Sequence, residues 1–310
     1  MTYAMQHTLR KTATLSGVGL HSGKPINMVL IPAEENHGIV FVRTDLPEGQ
    51  NVIPALWDSV VDTQLCTVIG NAHGATVGTI EHLMSALRGC GVDNLIVEID
   101  ASEVPAMDGS AMPFVQLIEE VGTKAQDLPR RMIRVLREVT VEDGDKRVTL
   151  KPEETCTFVG EIDFDHDQIG RQRFGTQLVN GNFKHDIAEA RTFGFFHEAE
   201  WLRSQGLGLG GSLDNAIILN TDGVMNPNGL RFKDEFIRHK LLDAIGDLYL
   251  AGGQILGLYD SVKAGHAINN AILHELFSDN ANWEYVDMTA LAATQSGKSQ
   301  TFLEESLMVA

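Results

Sequence analysis

A chain of 310 residues is long enough for two domains of ordinary size, and 43% of its residues are hydrophobic. Its net charge of −18 argues against nucleic acid as a partner, because phosphate binding needs basic patches. No apolar stretch is long enough to span a bilayer and the first residues lack the apolar region of a signal peptide, so we expect a cytoplasmic protein. Three cysteines without C-x-x-C spacing argue against a disulfide framework.

The first half of the chain predicts an α+β domain from its hydrophobic periodicity. Thr79 is expected to cap the first helix, and Gly89 and Gly91 are expected to end it. The predicted elements, in chain order, are a glycine-rich turn at 17–23, strands at 26–30, 39–42 and 52–61, a helix at 80–88, a strand at 94–99 and a helix at 113–121.

A polar, proline-containing segment at 125–131 is where we place the boundary between the two domains. The predicted division is a first α+β domain at 1–127, a second α+β domain at 128–286 and a C-terminal tail at 287–310. The elements predicted for the second domain are strands at 134–141, 146–151, 157–162 and 191–195, a helix at 197–204, a strand at 216–219, a helix at 233–250, a strand at 254–259 and a helix at 266–277.

The two halves show a faint internal repeat. Each has an apolar helix with a histidine beside a charged residue, then a glycine stop and a strand; the histidines are His82 and His239. A true repeat predicts that the domains pack face to face with both histidines between them. The alternative is a chance similarity of two helix–strand units.

A metal site is predicted by residues from both of these helices. His239 and Asp243 are four residues apart, so on a helix they share one face. With His82 as a third ligand, the fourth position stays open for water, as in catalytic zinc sites. Imidazole and carboxylate also suit iron(II). The alternative is a surface ion pair and a structural histidine, but Asp247 on the same apolar helix adds a polar group that needs a partner.

Four more residues near this cluster have both a chemical and an ordinary interpretation. Glu81 is either a general base for a metal-bound water or a helix-start residue. His266 is either an exposed loop histidine or a general acid held protonated by a carboxylate such as Asp247. Lys240 and Lys263 are either solvated lysines or a local basic site in an otherwise acidic protein, which an anionic substrate requires.

Together, several segments resemble one enzyme family, the UDP-3-O-acyl-N-acetylglucosamine deacetylases. These are zinc amidases of lipid A (lipopolysaccharide) biosynthesis in Gram-negative bacteria. The similarity extends from about residue 8 to about residue 286 and lies in the segments 18–23, 65–67, 79–82, 107–111, 190–195, 210–212, 236–248 and 265–267.

The resemblance implies two similar domains, each a β-sheet packed on a pair of helices, with the active site between them and a β-α-β insert at about 193–219 that lines an acyl passage. It implies one zinc ion per chain and an acylated UDP-amino-sugar as substrate. We also expect a monomer, although the sequence says little about oligomeric state. The implied roles are His82, His239 and Asp243 as ligands, Glu81 as general base, His266 as acid oriented by Asp247, Thr192 as oxyanion donor, and Lys240, Lys263, Phe193, Leu202, Gly210 and His21 as substrate contacts.

Two other functions stay open at this point. A different zinc amidohydrolase would share the metal chemistry but need no acyl passage. A catalytically silent protein that binds a lipid or nucleotide sugar would need no general base, and the presence of Glu81 with all three ligands counts against it.

Overall fold

The computed structural model describes residues 4–179 and 181–289 and is of the α+β class, as predicted. Residues 290–310, most of the predicted tail, lie outside the described residues. The helices are α1 (Glu81–Cys90), α2 (Met112–Val121), α3 (Asn182–Asp186), α4 (Phe196–Ser204), α5 (Glu235–Tyr249) and α6 (His266–Phe277).

The described strands form five sheets. They are β1 (Met5–Leu9), β2 (Ala13–Val18), β3 (Pro25–Pro32), β4 (Ile39–Arg43), β5 (Val52–Pro54), β6 (Val60–Asp62), β7 (Val68–Gly70), β8 (Thr76–Val77), β9 (Leu95–Ile99), β10 (Thr123–Pro129), β11 (Arg131–Val135), β12 (Val139–Asp143), β13 (Lys146–Lys151), β14 (Cys156–Phe164), β15 (Gly170–Gln177), β16 (Phe193–Phe195), β17 (Ile217–Asn220), β18 (Gly223–Val224), β19 (Gln254–Val262) and β20 (Trp283–Asp287).

The first half of the chain forms a sheet in the order β2-β3-β9-β4-β5 that is covered by α1 and α2. Ile26, Met28 and Leu30 alternate with more exposed residues along β3, which is the pattern of a sheet with one buried face. The predicted glycine-rich turn connects β2 to β3. Gly91, in the left-handed conformation with φ of 68°, ends α1 as expected.

The second half forms a seven-stranded sheet around β19. Residues Gln254–Leu256 of β19 pair in parallel with β11, and its later residues pair with β13 and β14. Helix α5 packs on β14, and α6 packs on β12 and β13. The predicted strand at 134–141 is instead two strands, β11 and β12. Neither β15 nor β20 is among the predicted elements.

The two halves meet where α1 packs against α5. A Cβ atom at Gly246 would lie 2.0 Å from the carbonyl oxygen of Glu81, so only glycine allows this close approach. The start of α1 is thereby brought against the middle of α5. The domain boundary near residue 127 stays a prediction; it falls within β10, which pairs with β1.

The predicted insert is present as strand β16, helix α4 and strand β17, with β16 and β17 parallel. It contacts the glycine-rich turn of the first half through two backbone hydrogen bonds, from Leu209 N to His21 O at 3.2 Å and from Gly210 N to Leu20 O at 3.0 Å. None of the helices in the described part of the chain is long and apolar enough to cross a membrane.

Candidate active site

The three predicted metal ligands come together where α1 meets α5. His82 lies in the first turn of α1, and His239 and Asp243 lie on one face of α5. Asp243 Oδ1 is 3.5 Å from His82 Nε2 and 3.3 Å from His239 Nε2. The two imidazole rings are nearly perpendicular, with centroids 5.0 Å apart. One ligand atom from each residue lies within 4.8 Å of the others.

This spacing fits a tetrahedral divalent ion. Two ligands bound at about 2.0–2.1 Å around a tetrahedral centre lie about 3.3–3.4 Å apart, which is close to both measured separations. Burial lowers the pKa of His239 to about 3, so its imidazole is neutral, as a ligand must be. Burial also raises the pKa of Asp243, but neighbouring His239 and Lys240 outweigh it and hold this pKa well below its usual range.

A backbone carbonyl orients His239. Its Nδ1 lies 3.1 Å from the carbonyl oxygen of Ala190, where a protonated Nδ1 donates a hydrogen bond. That tautomer leaves the Nε2 lone pair directed at Asp243 and His82. Ligating histidines commonly have such a second hydrogen bond, which fixes their ring orientation.

An acid–base group lies beside the cluster. His266 Nδ1 is 2.9 Å from Asp247 Oδ2, and its Nε2 is 3.9 Å from Glu81 Oε1. Burial lowers the pKa of His266, but the charge and hydrogen bond of Asp247 outweigh it and raise this pKa to about 9. Burial raises the pKa of the Glu81 carboxyl, against the opposing effect of His266. The structure therefore places a carboxyl group with a raised pKa beside a protonated imidazole.

Two further residues complete this group, and the sequence patterns assigned neither of them a role. Thr67 Oγ1 donates to Asp247 Oδ1 at 2.6 Å, and Thr67 N–H donates to Glu81 Oε2 at 3.1 Å. Asn269 Nδ2 donates to Asp247 Oδ2 at 2.9 Å. Thr67 was part of the family resemblance, but it lies in a loop, where no periodicity indicates its direction.

The backbone leading into α1 differs from the prediction. Thr79 has a φ of +54°, in the left-handed region, and α1 begins after Ile80 without a side-chain cap. Leu65, two residues before Thr67, has a φ of +70°. Left-handed conformations of such residues are unfavourable and are concentrated at functional sites. Both strained positions lie within two residues of a member of the site.

The two predicted lysines have different surroundings. Lys240 is half-buried, and its Nζ donates to Asp243 Oδ2 at 2.8 Å, which leaves Oδ1 facing the histidines. Lys263 lies at the end of β19, where its Nζ contacts Asp145 at 2.9 Å and Asp163 at 3.6 Å. The structure thus brings Lys240 into the cluster and pairs Lys263 with exposed carboxylates.

An apolar cavity of about 370 Å3 lies between the insert and the glycine-rich turn of the first half, next to the cluster. Phe193 lines it, and the centroid of its ring is 6.3 Å from that of His239. Leu202, Thr192 and His21 also line it. Gly210, for which a substrate contact stays a prediction, packs closely on the glycine-rich turn, where a Cβ atom would lie 2.1 Å from the carbonyl oxygen of Gly19.

His21 contributes an imidazole ring with unusual polar atoms to the lining of this cavity. Both of its ring nitrogens are buried and have no hydrogen-bond partner among the described residues. Burial lowers its pKa against the opposing charge of Glu103, so the ring is neutral. Thr192 is held at the other side by backbone hydrogen bonds to Gly109 O at 2.8 Å and from Ile217 N at 2.7 Å.

Two buried imidazoles, a buried carboxylate and an adjacent acid–base pair are typical of metal-dependent hydrolases. The profile of the UDP-3-O-acyl N-acetylglycosamine deacetylase family matches residues 6–278. The chain therefore belongs to this family of metalloenzymes, which are hydrolases acting on an amide bond.

Several bacterial relatives are similar along almost their whole length, and each is named UDP-3-O-acyl-N-acetylglucosamine deacetylase. The relative from Syntrophotalea carbinolica is 47% identical over 96% of this chain and 95% of its own. The relative from Stenotrophomonas maltophilia is 48% identical over 93% and 95%, and that from Haemophilus influenzae is 47% identical over 91% and 92%. The family predicted from the sequence is confirmed.

Proposed function

We propose that the chain hydrolyses the N-acetyl group of UDP-3-O-acyl-N-acetylglucosamine, a step of lipid A biosynthesis, and releases acetate and UDP-3-O-acyl-glucosamine. One observation carries this proposal: a metal-ligand cluster with an acid–base pair lies against an apolar cavity large enough for a lipid chain. The family and its similarly named relatives support the same substrate.

His82, His239 and Asp243 are the proposed ligands of one Zn2+ ion per chain, with iron(II) as the alternative ion. When bound, such an ion supplies Lewis-acid chemistry to an amide carbonyl and to water. Lys240 neutralises the outer oxygen of Asp243 and thereby stabilises a buried carboxylate that faces the imidazoles of His82 and His239.

Glu81 and His266 are proposed to move the protons. Oε2 of Glu81 accepts the Thr67 N–H, so Oε1 is the oxygen that takes a proton from the attacking water. His266, kept protonated by Asp247, donates to the leaving amine or stabilises the charge that develops nearby. The hydroxyl of Thr192 is proposed to donate to the carbonyl oxygen as negative charge develops on it.

The substrate contacts are proposed from the position of each residue. Phe193, Leu202 and His21 line the cavity, where they can contact the acyl chain. Lys240 and Lys263 are proposed to face the sugar and the diphosphate, with Lys263 exchanging Asp145 for substrate. A substrate contact of Gly210, a cytoplasmic location and a monomeric state stay predictions.

The test is acetate release from two sugar nucleotides, UDP-3-O-acyl-N-acetylglucosamine and its non-acylated counterpart. The proposal predicts turnover of the first and, because the apolar cavity stays empty, little turnover of the second. Equal turnover of both would point to a deacetylase without acyl recognition. Tight binding of the acylated compound without acetate release would point to a binding protein.

A further inference from the structure

Asp247 has three hydrogen-bond donors, and one of them comes from a distant part of the chain. His266 and Asn269 both contact Oδ2 at 2.9 Å, and both lie near the start of α6. The other oxygen, Oδ1, accepts the hydroxyl of Thr67 at 2.6 Å. Thr67 precedes Asp247 by 180 residues and its side chain is almost completely buried. The carboxylate is therefore held on both oxygens.

The same threonine also contacts the proposed general base. Its backbone N–H donates to Glu81 Oε2 at 3.1 Å, while Glu81 Oε1 faces His266 Nε2 at 3.9 Å. The hydrogen bond from the Thr67 N–H occupies Oε2 of Glu81, so Oε1 is the oxygen that is available for proton transfer. One residue determines the rotation of the Glu81 carboxylate and, through Asp247, supports the ring of His266.

The turn that presents Thr67 is itself constrained. Leu65 has a left-handed φ of +70° and Cys66 is buried beside Thr67, so the segment has little freedom to reorient. Thr67 belongs to the first half of the chain, whereas Asp247 and His266 belong to the second. Its hydroxyl therefore joins the two halves at the point where their proton-transfer groups meet.

We infer that Thr67 is a positioning residue, which aligns Glu81 with the His266–Asp247 pair without contacting the substrate. This inference rests on the proposed function, since it assumes that both groups act in amide hydrolysis. A catalytic group that is misplaced by a fraction of an ångström loses much of its effect, because proton transfer requires hydrogen-bond geometry. The expected signature is a loss in kcat with little change in KM.

Thr67→Val is the informative substitution. Valine keeps the size and shape of threonine and keeps the backbone N–H that contacts Glu81, but it removes the only hydroxyl that donates to Asp247 Oδ1 among the described residues. Partners of this kind typically contribute 10- to 100-fold to activity, so we expect kcat to fall by about that factor. Thr67→Ser retains a hydroxyl and should restore most of the activity.

Thr8→Val is a matched control. Thr8 is also buried, and its hydroxyl donates to the carbonyl oxygen of Asn94 at 2.7 Å and accepts the N–H of Ala33 at 3.0 Å. This variant loses two buried hydrogen bonds far from the cluster, so it should lower the melting temperature and leave kcat within about twofold of wild type. Any general effect of removing a buried hydroxyl appears in both variants.

The experiment measures kcat, KM, bound metal and melting temperature for the wild type and the three variants, with metal-loaded full-length enzyme. The inference predicts that only Thr67→Val loses kcat by about tenfold or more, with KM and metal content unchanged. It is overturned if Thr67→Val keeps wild-type kcat, loses its metal, or loses no more kcat than Thr8→Val. A wild type that releases no acetate refutes the proposed function and the inference together, whereas an active wild type with an equally active Thr67→Val refutes the inference alone.

Discussion

The polar cluster at the α1–α5 contact and the apolar cavity of the insert lie side by side, yet they are built in opposite ways. In the cluster, His239, Asp243 and Asp247 are at most 3% exposed and each has a defined polar contact. In the insert, α4 has no fully buried residue, and Trp201 is 59% exposed. One region is completely packed and the other is left unfilled.

The difference reflects what each region has to do. Proton transfer and metal binding need groups held in one geometry, and buried polar groups are tolerated only when they have partners. A site for a lipid chain needs apolar surface that the protein itself does not cover. We therefore expect substitutions in the cluster to change the rate of the reaction, and substitutions in the insert to change which substrates are bound.

The largest effect is expected for His239→Ala. Removing one of three ligands should lower the bound metal from about one ion per chain to nearly none and abolish turnover, because only two ligands remain. Metal content is measured by elemental analysis and turnover by acetate release. The exposed histidine in His37→Ala serves as the control. Full metal occupancy in His239→Ala would contradict the assigned ligand set.

The second-largest effect is expected for Glu81→Gln, a substitution that separates catalysis from metal binding. Glu81→Gln keeps the size of the side chain but removes the base, so kcat should fall about 10²- to 10⁴-fold while the metal is retained. Glu98→Gln, at a half-buried carboxylate on β9, should change neither quantity. Glu81 would be only a helix-start residue if Glu81→Gln retained kcat within a few-fold of wild type at neutral pH.

The pH dependence of kcat tests the His266–Asp247 pair. The pKa of His266 is raised to about 9, so the protonated form is complete at neutral pH and is lost as the pH rises through this value. Asp247→Asn removes the largest effect that opposes burial, so the alkaline limb should move to lower pH. A bound cation lowers the pKa of His266 in both enzymes, so the difference between them is the quantity to compare. An alkaline limb at the same pH in both would contradict the assigned pair.

The smallest effect is expected for the length of the acyl chain, measured as the change in kcat/KM for each added methylene group. Each added methylene of the acyl chain should contribute up to about 0.8 kcal/mol, or about fourfold in kcat/KM, until the cavity is filled. Ala199→Leu, on the inner face of α4, should penalise long chains more than short ones. Glu200→Leu, on the exposed face of the same helix, should not. The cavity would be ordinary packing if kcat/KM were the same for every chain length.

The structure changes which substitution is suitable for narrowing the apolar cavity. From the sequence alone, leucine at Gly208 or Gly210 is predicted to narrow the acyl passage, because both glycines lie in the insert. However, Gly208 has a φ of +63°, and Gly210 packs against the carbonyl oxygen of Gly19. Leucine at either position would strain the backbone or displace the loop, so its effect would not report on cavity length.

The sequence predicts the parts of this molecule that repeat along a helix or a strand. The i, i+4 spacing of His239 and Asp243 was sufficient to place them on one face of α5, and α6 was predicted with the bounds that the structure shows. Pairing His82 with them across about 160 residues had no local pattern behind it. It rested on the faint internal repeat, on the three protein ligands of a catalytic zinc site and on the family resemblance.

What the sequence missed depends on single contacts or on unusual patterns. Thr67 reaches Asp247 only because a strained turn directs it there, and the carbonyl of Ala190 that orients His239 has no side-chain signature. Strand β15 is not predicted, because it begins at a glycine and its outward-facing residues include Arg171, Arg173 and Gly175, which give no hydrophobic alternation. Contacts of this kind depend on tertiary structure.

The most direct test of the account is a metal titration of the chelator-treated enzyme, with acetate release from UDP-3-O-acyl-N-acetylglucosamine as the readout. The account predicts no activity without metal and a linear recovery that ends at one Zn2+ ion per chain, because His82, His239 and Asp243 form one site. Full activity in the metal-free enzyme, or recovery that requires two ions per chain, would contradict it.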